Sequence, residues 1–244
     1  MRVVTVDDVS LVRAIHRDVF TPAFTPDELT GADELWTAVQ QGGGVLTAVM
    51  DEEDRPAAAA FGEWYPESRV LLLVYLAVGR TVRSRGLGGV LLAEAVGAWQ
   101  TRFRPALTLA ELEHPVVHPG DPARGDGRSR LRFYARHGAR ALDLPYFQPS
   151  LRPGGRRVYG MVLTVLEPLP ERAADGGVEP GRIRRFLTAY LTGCEGEVGS
   201  DAPTLALWRA LDRPGAVRLL PLDDPAALPV SHAGGPDSGT SPST

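Results

Sequence analysis

The stretch Val82–Gly89 reads Val-Arg-Ser-Arg-Gly-Leu-Gly-Gly and joins the apolar run Leu71–Val78 to a helical pattern that begins at Val90. This order predicts a strand, a glycine turn and a helix. Glycines let backbone N–H groups approach a ligand, and the first turn of a helix offers unpaired donors with partial positive charge. Arg83 and Arg85 add positive charge and forked donors. The stretch therefore predicts a phosphate site that suits a diphosphate.

Two common phosphate-binding motifs do not fit this stretch. A P-loop requires a lysine after its last glycine, and the chain contains no lysine. A dinucleotide-binding fingerprint requires a third glycine three residues after the second, but Leu91 stands at that place after Gly88. The strand before the turn also does not open the repeating strand–helix–strand series of a dinucleotide-binding domain. The sequence therefore disfavours both the P-loop and the dinucleotide-binding fingerprint.

The spacing Arg83-x-x-Gly86-x-Gly88 resembles a motif of the GCN5-related N-acetyltransferase (GNAT) superfamily. In that family, Arg/Gln-x-x-Gly-x-Gly/Ala holds the pyrophosphate of coenzyme A. A second segment, Leu131–Ala139, is similar to the family's Phe-Tyr-x-x-x-Gly-Phe/Ala segment, which follows the fifth strand. Two such segments in the right order extend the resemblance over roughly residues 1–167.

The order of predicted elements agrees with the GNAT fold. The pattern gives a strand, two helices, a three-strand antiparallel meander, a helix, a strand, a helix and a final strand. We therefore expect an α/β (α+β) fold with a mixed, mostly antiparallel sheet flanked by helices. The predicted strands are Arg2–Val6, Val45–Met50, Ala57–Trp64, Arg69–Val78, Ala106–Glu111 and Val158–Leu166, and the predicted helices start near Val9, Thr25, Val90 and Arg130.

Three regions are expected from changes in composition. Residues 1–167 form the GNAT-like catalytic domain that binds acyl-CoA. Residues 168–224 form a helical extension, because Ile183–Leu191 and Thr204–Leu211 have amphipathic or apolar helical patterns. Residues 225–244 are rich in Pro, Gly, Ser, Asp and Thr and are predicted to be a disordered tail.

The resemblance implies acetyl-CoA as the acyl-donor co-substrate. It implies that the glycine turn holds the pyrophosphate and that backbone N–H groups of the preceding strand hold the pantetheine arm and the thioester oxygen. The residues implied are Leu76, Ala77, Val78, Arg83, Ser84, Arg85, Gly86, Leu87, Gly88 and Gly89.

The catalytic residues follow from what acyl transfer to an amine requires: a base for the amine proton and an acid for the departing thiolate. The resemblance implies that Tyr134 is the acid, with a core aromatic role as the alternative. Glu111 and Glu113 point the same way along a strand, and one of them is a candidate for the base. Glu63 is a further candidate. An ordinary solvated carboxylate is the alternative for each, so the base stays open.

The implied function is transfer of an acetyl group to a primary amine by direct attack in a ternary complex. The acceptor, a small molecule or a peptide, is not identified by the sequence, and another acyl chain length is a close variant. A non-catalytic coenzyme A-binding regulatory or scaffold module is the alternative from a different class.

Composition indicates the cellular location and the kinds of partner to expect. The chain has 244 residues, a net charge of −4 and one cysteine, Cys194. These values favour a reducing, cytoplasmic location without nucleic-acid partners, disulfides or a metal site. The apolar runs are too short to cross a membrane. The lack of lysine and asparagine is typical of a GC-rich bacterial genome. For the predicted helical extension two roles stay open, a cover over the acceptor cleft and a homodimer contact.

Overall fold

The centre of the fold is a mixed eight-stranded sheet. The computed structural model describes residues 1–26, 28–79, 86–118, 120, 126–151, 155–171, 173 and 176–233. The strands are β1 (Arg2–Thr5), β2 (Gly44–Met50), β3 (Pro56–Tyr65), β4 (Val70–Val78), β5 (Leu107–Glu113), β6 (Arg140–Leu142), β7 (Met161–Leu166) and β8 (Leu219–Leu220). The helices are α1 (Val9–Ile15), which continues as a π-helix over His16–Phe20, α2 (Ala32–Gln40), α3 (Leu87–Phe103), α4 (Gly127–Arg136), α5 (Pro180–Glu195), α6 (Ala202–Leu211) and a 3-10 turn at Pro225–Ala227.

The strand order is β1-β2-β3-β4-β5-β7-β6-β8. All neighbouring pairs in the described chain are antiparallel except β4 and β5, which are parallel and joined through α3. The predicted α/β class with a mostly antiparallel sheet flanked by helices is therefore confirmed. None of the described helices is both long and apolar enough to span a bilayer.

Strand β4 contains a β-bulge halfway along its length, which changes the face of the sheet to which its side chains point. Phe61 of β3 pairs with Tyr75, but the next residue, Gly62, pairs with Leu73, so Val74 is an extra residue in β4. Such a bulge reverses the alternation of side chains. Leu73 before the bulge and Leu76 after it consequently face the same apolar cluster.

Strands β4 and β5 separate just before this bulge. Their parallel pairing runs from Val70 opposite Leu107 to Leu73 opposite Ala110. Both strands continue beyond this point, to Val78 and Glu113, but within the described residues they no longer pair with each other. The sheet therefore has a wedge-shaped gap between its two central strands.

One face of the sheet packs against α3 and α4. Trp99 of α3 is 1% exposed, and its indole N–H donates to the hydroxyl of buried Thr47 on β2 at 3.2 Å. Aromatic burial of this size contributes several kcal/mol, and the hydrogen bond satisfies the one polar atom of the ring. Helix α3, which starts at the glycine turn, is thereby fixed to β2.

The opposite face packs against α1 and α2 at one end and against α5 and α6 at the other. Leu109 of β5 and Ile183 of α5 belong to one buried apolar cluster, so residues on both sides of the predicted 167/168 boundary share a core. The division into a catalytic domain and a helical extension stays a prediction. The helices expected within 180–211 are present as α5 and α6.

The second helix starts later than predicted. A start at Thr25 was expected from the sequence, but α2 begins at Ala32. The carboxylate of Glu28 instead accepts from the backbone N–H and hydroxyl of Thr25, and the hydroxyl of Tyr75 donates to the Glu28 carbonyl and accepts from the Thr30 N–H. These bonds hold the segment as a turn on the sheet, so the helical start at Thr25 is wrong.

Part of the predicted disordered tail is ordered. Leu228 is buried, and Ser231 is 4% exposed. The Ser231 hydroxyl donates to the Tyr146 carbonyl and accepts from the Gly160 N–H, so a polar residue fixes the segment through backbone groups distant in sequence. The prediction is therefore wrong for residues 225–233, and residues 234–244 lie outside the described residues.

The packing of α3 predicts that Trp99→Ala lowers the free energy of unfolding by about 3–5 kcal/mol, because it leaves a large cavity and removes the partner of Thr47. Urea denaturation measures this change. Trp208→Ala, at a half-buried site on α6, is the matched control and costs less. A loss for Trp99→Ala no larger than that of the control contradicts the described packing.

Candidate active site

A cavity of about 350 Å³ lies on the α3 and α4 side of the gap between β4 and β5. Its walls come from β4 beyond the bulge, from the glycine turn with the first turn of α3, and from α4. The lining residues are Leu76, Val78, Gly86, Leu87, Gly88, Gly89, Arg130, Phe133 and Tyr134. The structure thus brings both family-like segments of the sequence to one site.

The glycine turn has the local geometry of an anion site. Gly86 is the N-cap of the 17-residue α3 and has φ +75°, a conformation that residues with a Cβ rarely adopt. As a glycine, it has no side chain to cap the first turn. A Cβ on Gly89 would lie 2.6 Å from Nε2 of His137, so this close approach of helix and ring also needs glycine.

This geometry fits the phosphate groups of a nucleotide-like ligand. A helix N-terminus presents backbone donors and a partial positive charge, and the absence of side chains at three of four positions lets a phosphate come close. The predicted ligands Arg83, Ser84 and Arg85 lie outside the described residues. Ala77 does not line the cavity, because its side chain is in the core on the other face of β4.

Tyr134 of α4 contributes to the wall of the cavity. It is 6% exposed, and its ring packs edge-on against Phe133 at 5.1 Å between centroids. Burial raises the pKa of Tyr134, and the positive charge of Arg130 only partly opposes this rise. The phenol is therefore neutral and carries its proton over the whole physiological pH range, as a proton donor must.

Arg130 is the charged side chain in the lining of the cavity. Its Nη1 donates to Oε2 of Glu113 at 2.8 Å, so Glu113 is an ion-pair partner. The signal available in the sequence was its position one helical turn before Tyr134, which places both side chains on the same face of α4.

Glu111 lies on the opposite face of the gap. It is the first residue of β5 after the last pair with β4, and it is half-buried. Tyr146 donates to its Oε1, while Nε2 of Gln148 and the hydroxyl of Tyr190 donate to its Oε2 at 2.9 and 3.2 Å. Desolvation raises the pKa of Glu111 although these hydrogen bonds act in the opposite direction.

Glu63 is the second carboxylate on this face. It lies on β3, is half-buried, and accepts from the hydroxyl of Tyr65 at 3.1 Å. Desolvation also raises its pKa, and its negative charge contributes to the raised pKa of Glu111. The two candidate bases therefore lie near each other on the same face of the sheet. Each has a higher pKa than a solvated carboxylate and binds a proton more readily.

The residues that hold Glu111 were not found from the sequence. Tyr146, Gln148 and Tyr190 are 35, 37 and 79 residues away from Glu111 along the chain. Tyr190 lies within the amphipathic pattern Ile183–Leu191. Tyrosines in such a pattern are typical of core packing, so no local signal separates them from ordinary core residues.

Neither a protein-family model nor a curated protein sequence matches the chain. Solved structures do match. A Bacteroides thetaiotaomicron protein assigned to the GNAT acetyltransferases has a TM-score of 0.56 at 18% identity, covering 78% of this chain and 99% of that one. A Desulfovibrio desulfuricans protein assigned to the GNAT family has a TM-score of 0.48 at 24% identity, with coverages of 68% and 99%. The ribosomal-protein-S18-alanine N-acetyltransferase of Escherichia coli has a TM-score of 0.46 at 14% identity, with coverages of 71% and 97%.

The raised pKa of Glu111 predicts a pH-dependent stability difference between the native protein and Glu111→Gln. The folded state keeps a proton that the unfolded chain releases near pH 4.5, the ordinary pKa of the group. Relative to the variant, the free energy of unfolding is therefore highest below pH 4.5 and falls as the pH rises through the folded-state pKa. Urea denaturation of both proteins across this range measures the difference. A difference that is constant or grows with pH contradicts the assignment.

Proposed function

Since the chain has the GNAT fold, we propose that it is an N-acyltransferase of that superfamily. It transfers an acetyl group from acetyl-CoA to a primary amine by direct attack in a ternary complex. The acceptor is a small molecule or a peptide, and its identity is open.

The observation that carries the proposal is the gap between β4 and β5. One face of the gap opens on the cavity with Tyr134, and the other carries Glu111, the first residue of β5 beyond the paired region. A donor in the cavity and an acceptor beside the carboxylates would meet across the gap. This arrangement supplies an acid and a base on opposite sides of one reaction centre, as amine acylation requires.

The donor binds along the cavity in this proposal. Its pyrophosphate is held by backbone N–H groups of the turn Gly86–Gly89, together with Arg83, Ser84 and Arg85. The pantetheine arm follows the backbone of Leu76, Ala77 and Val78 to the gap. The positive φ of Gly86 and the absence of a capping side chain support the phosphate assignment.

The chemical step needs two proton transfers. The amine nitrogen attacks the thioester carbonyl carbon and forms the C–N bond, and the C–S bond breaks. The proton lost by the amine goes to Glu111, and the departing thiolate takes the proton of Tyr134. Glu63 stays the alternative base. The raised pKa values of both carboxylates support the assignment, because such a base takes a proton from an ammonium group more readily.

Location and assembly are proposed from the sequence. The single cysteine favours the cytoplasm, and the lack of lysine and asparagine favours a bacterial source. A homodimer contact through the region around α5 and α6 stays a prediction.

Gly88→Leu is expected to weaken coenzyme A binding by at least about tenfold, because the added side chain would fill the cavity near Phe133. Gly97→Leu is the matched control on the same helix, where a Cβ meets nothing within 4 Å. Calorimetric titration with coenzyme A measures both dissociation constants. Equal affinities of the two variants contradict the cavity as the donor site.

Tyr134→Phe is expected to lower kcat by about a hundredfold or more, since the thiolate loses its proton donor. Release of free thiol from acetyl-CoA with a panel of amines and peptides measures kcat, and coenzyme A affinity is expected to stay the same. Unchanged kcat contradicts the acid role. Binding of acetyl-CoA by the native protein without thiol release with any acceptor indicates a non-catalytic module, and no binding at all rejects the coenzyme A site.

A further inference from the structure

The carboxylate of Glu111 is held by three donors from two parts of the chain. Tyr146 and Gln148 come from the segment after β6, and Tyr190 comes from α5. The amide nitrogen of Gln148 can only donate, and each tyrosine hydroxyl donates here as well. Two oxygens that accept three such bonds have the hydrogen-bonding pattern of an ionised carboxylate.

Two of the three donors to Glu111, the tyrosines, belong to the buried core. Tyr190 and Tyr146 are 4% and 1% exposed, whereas Glu111 itself keeps accessible surface. The carboxylate is therefore held by hydrogen bonds that come from the protein interior.

Helix α5 is tied to the segment that carries the other two donors. Arg157 forms a two-point ion pair with Glu195 at the end of α5, with contacts of 2.8 and 2.6 Å, and a further pair with Asp201 at 2.8 Å. Its guanidinium also stacks over the ring of Phe147 at 4.4 Å. Since Phe147 lies between Tyr146 and Gln148 in the chain, this cluster sets the distance between α5 and the segment.

We propose that Tyr190 is a positioning residue that orients Glu111 and sets its protonation for amine acylation, so that α5 completes the active site. Gln148 acts in the same way from the other segment. The inference rests on the proposed function, in which Glu111 accepts the amine proton.

The direction of the effect follows from the groups that face Glu111. Hydrogen bonds to a carboxylate favour its ionised form and lower its pKa, whereas burial and a nearby negative charge raise it. Removing the hydroxyl of Tyr190 therefore raises the pKa of Glu111 further. The titratable groups around Glu111 are Glu63 and Tyr65 on β3, Tyr75 on β4, Tyr146 after β6, and Tyr190 and Cys194 on α5.

The experiment compares the native protein with Tyr190→Phe, which keeps the ring and removes one hydroxyl. Carboxyl carbon NMR with labelled glutamate measures the pKa of Glu111, assigned by the signal that Glu111→Gln removes. We expect about a tenfold decrease in the acid dissociation constant, and the same shift to higher pH in the acidic limb of the kcat/KM profile. Gln148→Met, at a second donor, is expected to act in the same direction.

Tyr159→Phe is the matched control, because Tyr159 packs against Phe147 in the same cluster but lies outside the donors to Glu111. It is expected to leave the pKa and the profile unchanged. A pKa of Glu111 that does not move in Tyr190→Phe and Gln148→Met overturns the proposal, and so does a shifted pKa with an unshifted profile. A native protein without acyltransferase activity refutes the proposed function instead, while the NMR titration still decides whether Tyr190 controls Glu111.

Discussion

The end of the parallel pairing between β4 and β5 is the constraint on which the rest of the structure depends. Beyond Leu73 and Ala110 the two strands separate, and the extra residue Val74 turns Leu76 toward α3. Parallel neighbours need a crossover connection, and here the connection is α3, whose first turn therefore lies at the same end of the sheet as the gap. One topological feature thus creates the cavity and brings the glycine turn to it.

The two faces of the gap differ in chemistry. On the α3 and α4 side the walls are apolar apart from Arg130, and burial keeps Tyr134 neutral. On the other side burial raises the pKa of Glu111 and of Glu63, and the negative charge of Glu63 adds to the rise at Glu111. Desolvation raises the pKa of Tyr134 on one face and of Glu111 and Glu63 on the other. The phenol therefore keeps its proton, and the carboxylates accept one more readily. This separation of a neutral phenol from two carboxylates supports the proposed acyl transfer.

Much of the fold was predictable from the sequence, because its signals are local. The strand, glycine turn and helix around Gly86 depend on adjacent residues, as does the meander before it. The misplaced start of α2 and the ordered residues before position 234 depend on hydrogen bonds between distant segments, such as those of Tyr75 with Thr30 and of Ser231 with Gly160. The donors to Glu111 were missed for the same physical reason. Their role exists only once α5 packs against β5.

A crystal structure of the complex with coenzyme A tests the central claim most directly. The quantity to measure is the position of the coenzyme A sulfur relative to the gap between β4 and β5. The proposed function predicts that the pyrophosphate contacts the Gly86–Gly89 turn and that the sulfur lies within about 3.5 Å of the Tyr134 hydroxyl, with Glu111 on the far side of the gap. A sulfur outside the gap, or a pyrophosphate bound away from this turn, would contradict the account.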